Sequence, residues 1–275
     1  MKVAVINFSG NVGKSTVARH LLQPRIPGSK VIAVESINAH DGQPHSLRGR
    51  QFAELQEYLQ IEDDVVVDIG ASNVEDLIAS MRRFRGSHVD FDYFVVPTVP
   101  VLKQQQDTIA TLAELGQIGV PTSKVRVVFN MVEDGDDPAL VFDAVLAFLA
   151  AHPVAQADLA CRLGVNEIYS RVRASGLDLA ALLQDASDYK ALIAQAPSQA
   201  EKIALARRLA TRRLASGVVP ELDACFAALR LAMAPRDPRQ APPHAPRSCR
   251  RPARAKCSSL RRWATLRCCS RASMP

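Results

Sequence analysis

The chain lacks the features that mark membrane, secreted and zinc-binding proteins. No uninterrupted apolar run approaches the ~20 residues that a bilayer-spanning helix needs. The opening MKVAVINFSGNVGKS has neither the apolar region nor the cleavage site of a signal peptide. The six cysteines form no C-x-x-C pair and have no histidine at zinc-ligand spacing, and no Ser-His-Asp order or glycosidase-like carboxylate pair stands out. We therefore expect a cytoplasmic protein with reduced thiols.

Positive charge is concentrated at one end of the chain. Hydrophobic residues make up 48% and charged residues 23%, as in ordinary soluble globular proteins. Residues 235–275 hold eleven Lys or Arg and one Asp, whereas residues 1–234 hold 23 basic and 27 acidic residues. This tail also contains seven of the 17 prolines and four of the six cysteines, so we expect it to be disordered. It is either a basic arm that binds nucleic acid or GC-rich DNA translated in a shifted frame.

Short β-branched runs alternate with helix-like segments in the first part of the chain. The runs are 2–6, 31–34, 65–69, 94–96 and 125–129, and the later helix-like segments are 47–59, 73–84, 103–115 and 138–151. This alternation predicts an α/β fold, with a parallel sheet between two layers of helices. Right-handed crossovers then bring the carboxyl ends of the strands to one edge, where ligands bind.

Strand signals fade after Pro153. The segments 157–172, 177–196 and 199–233 look helical, so we predict an α/β core over 1–153, a helical part over 154–234 that completes the same domain, and the tail over 235–275. The stretch KIALARRLATRRLA (202–215) carries basic residues on one side of its helix. That side is either a solvated face or a surface for DNA or a partner.

The turn after the first run has the residue types of a phosphate-binding loop. It reads Ser9-Gly10-Asn11-Val12-Gly13-Lys14-Ser15-Thr16. Its two glycines let the backbone curl so that successive N–H groups point at phosphate oxygens, and the following helix adds the positive end of its dipole. Lys14 can reach the β- and γ-phosphates, and the Ser15 hydroxyl can ligate Mg²⁺. The common pattern G-x-x-x-x-G-K-S/T requires glycine where this chain has Phe8, so this is a variant P-loop.

The loop resembles the K-G-G-x-G-K-S/T-T motif of the ParA/MinD family of partition ATPases. The positions that match are Gly10, Val12, Gly13, Lys14, Ser15 and Thr16. Asn11 replaces the second glycine, and Ser9 stands where the family carries its signature lysine. The resemblance implies a P-loop NTPase fold with ATP and Mg²⁺ as ligands. In the family the signature lysine reaches the partner's phosphates in an ATP-dependent homodimer, and because Ser9 cannot make that contact, dimerisation stays open.

Three downstream segments extend the resemblance. VVVDIGAS (65–72) is similar to the family's switch motif, which implies that Asp68 holds Mg²⁺ through a water; otherwise Asp68 caps a helix. VESINAHDG (34–42) stands in the place of the segment that positions the attacking water, where Glu35 is either catalytic or an ordinary solvated carboxylate. VVFNMVED (127–134) is similar to the strand that ends in an adenine-reading asparagine, Asn130, which otherwise forms a turn.

The chain also resembles StbB-like plasmid-stability proteins, a ParA-like group, from Met1 to about Ala234. The opening segment, VESINA and NEIYSRVRASGLDLAALL (166–183) carry this likeness. It implies a weak ATPase that acts as a nucleotide-dependent switch in plasmid segregation or conjugative mobilisation, with a small plasmid-encoded DNA-binding protein as partner. Two other functions stay open: a P-loop kinase or synthetase-like enzyme for a small substrate, and a nucleotide-binding adapter with little turnover, which Ser9 favours.

Overall fold

In the computed structural model, which describes residues 1–34, 49–176 and 178–232, a parallel sheet carries helices on both faces. Its six strands are β1 (Lys2–Val5), β2 (Lys30–Ala33), β3 (Val65–Asp68), β4 (Tyr93–Thr98), β5 (Val125–Val132) and β6 (Arg162–Gly164). They lie in the order β2-β3-β1-β4-β5-β6, and every neighbouring pair is parallel. The predicted α/β fold is confirmed. The predictions for Glu35 and for the tail 235–275 lie outside the described residues.

The helices follow the segments that the sequence marks as amphipathic. They are α1 (Lys14–Thr16), which continues as a π-helix over Val17–Leu22, then α2 (Gly49–Ile61), α3 (Val74–Arg83), α4 (Leu102–Gln117), α5 (Pro138–Val141), α6 (Asp143–Ala151), α7 (Ile168–Ser175), α8 (Leu179–Gln184), α9 (Tyr189–Gln195) and α10 (Gln199–Ala228). In the part of the chain that the structure describes, none of them is both long and apolar enough to cross a bilayer.

Side chains that alternate along each strand build two separate cores. On one face of the sheet, residues such as Val67, Phe94 and Phe129 pack against α2, α3, α4 and α6. On the other face, residues such as Val5 and Val95 pack against the helix that follows the phosphate loop and against α7, α8 and α10. The helices of the C-terminal part therefore share a core with the helix of the loop.

The expectation of a helix throughout 157–172 is wrong at 162–164, where β6 extends the sheet beside β5. Only Leu163 of its three residues is fully buried, so the strand is too short to show an alternating pattern. The helix predicted over 138–151 is interrupted at Phe142, which lies between α5 and α6. The Phe142 ring is buried against Phe129, with 4.9 Å between ring centroids.

The sheet order makes the end of β1 the point where a ligand site is expected. β1 lies between β3 and β4, and the chain runs from it first toward β2 and β3 and later toward β4, β5 and β6. A crevice forms at such a reversal, outside the carboxyl ends of the strands. In register, Val5 at the end of β1 pairs with Asp68 on one side and Val95 on the other. The phosphate loop and Asp68 therefore leave the sheet side by side.

Candidate nucleotide-binding site

Two left-handed residues turn the phosphate loop. Asn11 has φ 58° and Gly13 has φ 88°, a region that L side chains rarely adopt. A Cβ at Gly13 would lie 2.1 Å from the amide nitrogen of Asn130, so residue 13 has no room for a side chain. A Cβ at Gly10 would meet nothing within 4 Å. The curl of the loop thus depends on Gly13 much more than on Gly10.

Asn7, which is fully buried, anchors the first half of the loop through its side-chain amide. Its amide nitrogen donates to the Pro97 carbonyl and to the Thr108 hydroxyl, each at 2.8 Å. Its amide oxygen accepts from the backbone N–H of Ser9 at 2.7 Å. These bonds tie the loop to β4 and α4. Sequence reasoning missed Asn7, although a polar residue at the end of a buried apolar run is a usable signal.

Lys14 lies buried against the inside of the loop. Its ammonium donates to the carbonyls of Asn7 at 3.1 Å and of Ser9 at 2.6 Å. The positive charge is thereby kept next to the loop backbone, where the phosphates of a ligand would be bound. Lys14 occupies the position that the sequence predicts for it, and its role toward a nucleotide stays a prediction.

A cavity of about 370 Å³ opens at this edge of the sheet. It is lined by Gly10, Asn11, Gly13, Lys14, Ser15, Thr16, Ala33, Asp68, Gly70, Ala71 and Arg173. Ser15 is exposed toward solvent, whereas Asp68, the last residue of β3, keeps only 6% of its surface exposed. The structure therefore brings Lys14, Ser15 and Asp68 to one cavity.

The donor set of this cavity fits a magnesium-bound phosphate chain. Mg²⁺ takes hard oxygen ligands and is usually held by one or two protein groups, with phosphate oxygens and waters completing its shell. The Ser15 hydroxyl and the Asp68 carboxylate are groups of this kind, and both line the cavity. The loop is curled through Asn11 and Gly13, and a backbone curled in this way can present N–H groups to phosphate oxygens.

Three predicted ligand-binding residues do not line the cavity and instead support the loop. The Asn130 amide nitrogen donates to the Val12 carbonyl at 2.9 Å, and only 3% of Asn130 is exposed. Val12 is fully buried. Ser9 contributes its backbone N–H to Asn7 and its carbonyl to Lys14. At least one N–H of the Asn130 amide is therefore used within the protein, and the predicted contact of Asn130 with an adenine base stays a prediction.

Arg173 is the lining residue that sequence reasoning missed. It comes from α7, in the C-terminal part of the chain, whereas the other lining residues follow β1 or lie at or just after the ends of β2 and β3. No local sequence pattern indicates that Arg173 lies at the cavity, because arginines on exposed turns of helices are common on protein surfaces. Only the packing of α7 against the helix of the loop brings it to the cavity.

Comparisons with known proteins identify structural neighbours at low identity. No protein-family model and no curated protein sequence matches the chain. Similar solved structures include apo McdA from Cyanothece (16% identity, TM-score 0.44, covering 66% of this chain and 92% of that one). They also include the MinD cell division protein of Aquifex aeolicus (12%, 0.44, 76% and 95%). A third is the septum site-determining protein MinD complexed with Mg-ADP from Pyrococcus horikoshii (12%, 0.42, 79% and 95%). Likeness at this level assigns no function to the chain.

Proposed function

We propose that this chain is a ParA/MinD-type ATP-binding protein that holds Mg-ATP at the carboxyl edge of its sheet and hydrolyses it slowly. One observation supports the proposal above others: Lys14, Ser15 and Asp68 line a single cavity at the point where the strand order reverses. This is the arrangement that phosphoryl-transfer sites of P-loop proteins require, because positioning and charge neutralisation do most of the work there.

Each of these side chains has a distinct task in the proposal. The curled loop and Lys14 hold the phosphates, and Ser15 with Asp68 holds Mg²⁺, which neutralises phosphate charge when bound. Asp68 is directly followed by Ile69, Gly70 and Ala71, two of which line the cavity. We infer that residues 69–71 are the switch segment, which changes conformation when the terminal phosphate is lost. Glu35 is the proposed carboxylate for positioning the attacking water.

We further propose that the nucleotide state serves plasmid segregation or conjugative mobilisation, as in StbB-like proteins. A small plasmid-encoded DNA-binding protein is the proposed partner, and an ATP-dependent homodimer is the proposed assembly. DNA contact is proposed for the basic tail. The basic side of α10 is divided: Arg207, Arg208 and Arg213 are exposed, while Arg212 donates to the carbonyls of Asp185 and Ser187.

Phosphate release and its dependence on the metal test this proposal. We expect the protein to release phosphate from ATP with no small-molecule acceptor present, which argues against a kinase. Ser15→Ala should weaken ATP binding more in Mg²⁺ than in a chelator, because the hydroxyl acts through the metal. Ser216→Ala, on α10, is the matched control.

The outcomes separate the candidate functions. Binding of ATP without any phosphate release would favour the nucleotide-binding adapter. Equal losses for Ser15→Ala with and without Mg²⁺ would show that the hydroxyl is not a metal ligand. If the tail binds DNA, affinity for a random duplex should fall steeply with salt, with a log–log slope of about −0.9 per phosphate neutralised. A slope near zero would contradict tail-mediated binding.

A further inference from the structure

Arg173 brings a second cation to the cavity of the phosphate loop. Within residues 9–16, Lys14 is the only charged residue, so the loop itself has one positive group for a polyanionic ligand. Arg173 lines the same cavity from α7. A guanidinium is planar, always charged and able to donate two parallel hydrogen bonds to a phosphate, so it suits this position chemically.

α7 is held firmly against the helix that follows the loop. Ile168 and Val172 are buried in the same core as Val17 and Leu21 of that helix. The Tyr169 ring stacks on His20, with 5.6 Å between ring centroids. Residues four apart lie on the same side of a helix, so Arg173 projects one turn beyond Tyr169 on the side that contacts the loop helix. The packing thus fixes the backbone position of Arg173, while the residue itself is exposed.

Within the described ranges 1–34, 49–176 and 178–232, the charge of Arg173 has no carboxylate as an ion-pair partner. On the same helix, Arg171 pairs with Glu167 at 3.0 Å and does not line the cavity. Arg173 is also close enough to His20 to act on it. Burial is the largest cause that lowers the pKa of His20, and the charges of Arg19 and Arg173 lower it further, against Asp178.

We propose that Arg173 binds the terminal phosphate of the nucleotide from within the same chain. This inference rests on the proposed function, since it assigns a further ligand contact at the same cavity. Arg173 then contacts ATP but not ADP at this position, because ADP lacks the terminal phosphate. Because α7 packs on the loop helix and on α10, the contact joins the C-terminal helices to the nucleotide.

Nucleotide affinities of three variants test the assignment. Arg173→Ala should weaken Mg-ATP binding by roughly 10- to 100-fold, the usual loss for a hydrogen bond to a charged group, and Mg-ADP binding much less. Arg173→Lys keeps the positive charge but lacks the planar guanidinium, so its affinity for Mg-ATP should lie between those of the wild type and Arg173→Ala. Arg171→Ala, on the same helix and away from the cavity, should match the wild type.

The same measurements distinguish a ligand contact of Arg173 from a purely structural role. Because its side chain is exposed, the melting temperature of Arg173→Ala should equal that of the wild type; if it falls, the intermediate affinity of Arg173→Lys still decides. Equal ATP affinity for wild type, Arg173→Ala and Arg173→Lys would overturn the proposal, and so would equal losses for ATP and ADP. Absence of ATP binding in both wild type and Arg171→Ala would instead overturn the proposed function together with this contact.

A mixing experiment tests whether the contact is made within one chain. Lys14→Ala retains Arg173 but loses the loop cation, whereas Arg173→Ala retains the loop. If Arg173 acts in its own chain, an equimolar mixture should bind ATP no better than Arg173→Ala alone. Recovery of high-affinity sites in the mixture would show that the arginine reaches a second copy, and would overturn the assignment within one chain.

Discussion

Replacing Gly13 by alanine perturbs the phosphate loop at a position that has no room for a side chain. The new Cβ would force an L residue into φ 88°, which costs about 1–2 kcal/mol. It would also lie 2.1 Å from the Asn130 amide nitrogen, so that amide must move and give up its bond to the Val12 carbonyl. Leaving a buried polar group without its partner costs about 1–3 kcal/mol. We therefore expect Gly13→Ala to lower the free energy of unfolding by about 2–5 kcal/mol.

Urea unfolding followed by circular dichroism measures this loss without any nucleotide. Gly10→Ala is the matched control, because a Cβ at residue 10 meets nothing within 4 Å and its φ is not left-handed. Its stability should stay within about 1 kcal/mol of the wild type. Native domains are typically stable by ~5–15 kcal/mol, so we expect Gly13→Ala to remove a large fraction of the stability and Gly10→Ala little of it.

The double variant Gly13→Ala/Asn130→Ala isolates the steric part. Truncation of Asn130 removes the atoms that the new Cβ would meet, so the two losses should not add. We expect the double variant to lose about 1–3 kcal/mol less than the sum of the single losses. Strictly additive losses, or a Gly13→Ala variant as stable as Gly10→Ala, would refute the close approach of Asn130 to the loop.

Three further changes test other parts of the site. Asn7→Ala leaves the Ser9 N–H and the Pro97 carbonyl without their partner, so the free energy of unfolding in urea should fall by about 2–5 kcal/mol; a loss below about 1 kcal/mol would contradict the anchor. Asp68→Asn keeps the shape without the charge, so Mg-ATP binding should persist while phosphate release slows, and turnover within about twofold of wild type would assign the task to another carboxylate. Burial lowers the pKa of His20 below its ordinary 6.5, because the folded protein disfavours the protonated ring. The free energy of unfolding should therefore keep its full value above that pH and decrease as the pH falls below it. The loss should be at most about 1.4 kcal/mol per pH unit, and His20→Gln should remove it; an unchanged pH slope in the variant would contradict this.

Most of the sheet could be predicted because its central strands β1, β3, β4 and β5 are buried on both faces. Such strands are short β-branched runs, and 65–69 and 125–129 are clear examples that match β3 and β5. β6 could not be predicted in the same way, because one buried leucine between Arg162 and Gly164 makes no periodic signal. Its place depends on pairing with β5, which is a tertiary contact.

The residues of the site also differ in whether local sequence or long-range contacts determine their place. The phosphate loop is a continuous segment whose glycines and Lys14 have chemical reasons to be neighbours, so it is visible in the sequence. Arg173 and Asn7 act through contacts with distant elements and carry no such signal. The sequence also does not show that the Asn130 amide is used by Val12.

Calorimetric titration of Mg-ATP into the wild type, Lys14→Ala and Lys190→Ala tests the central claim most directly. Lys190 is an exposed lysine on α9 and does not line the cavity, so it controls for the loss of one charge. The account predicts saturable binding by the wild type and Lys190→Ala, and affinity at least roughly 10-fold lower for Lys14→Ala with an unchanged circular dichroism spectrum. Equal ATP affinity in all three proteins, or no ATP binding by the wild type, would contradict it.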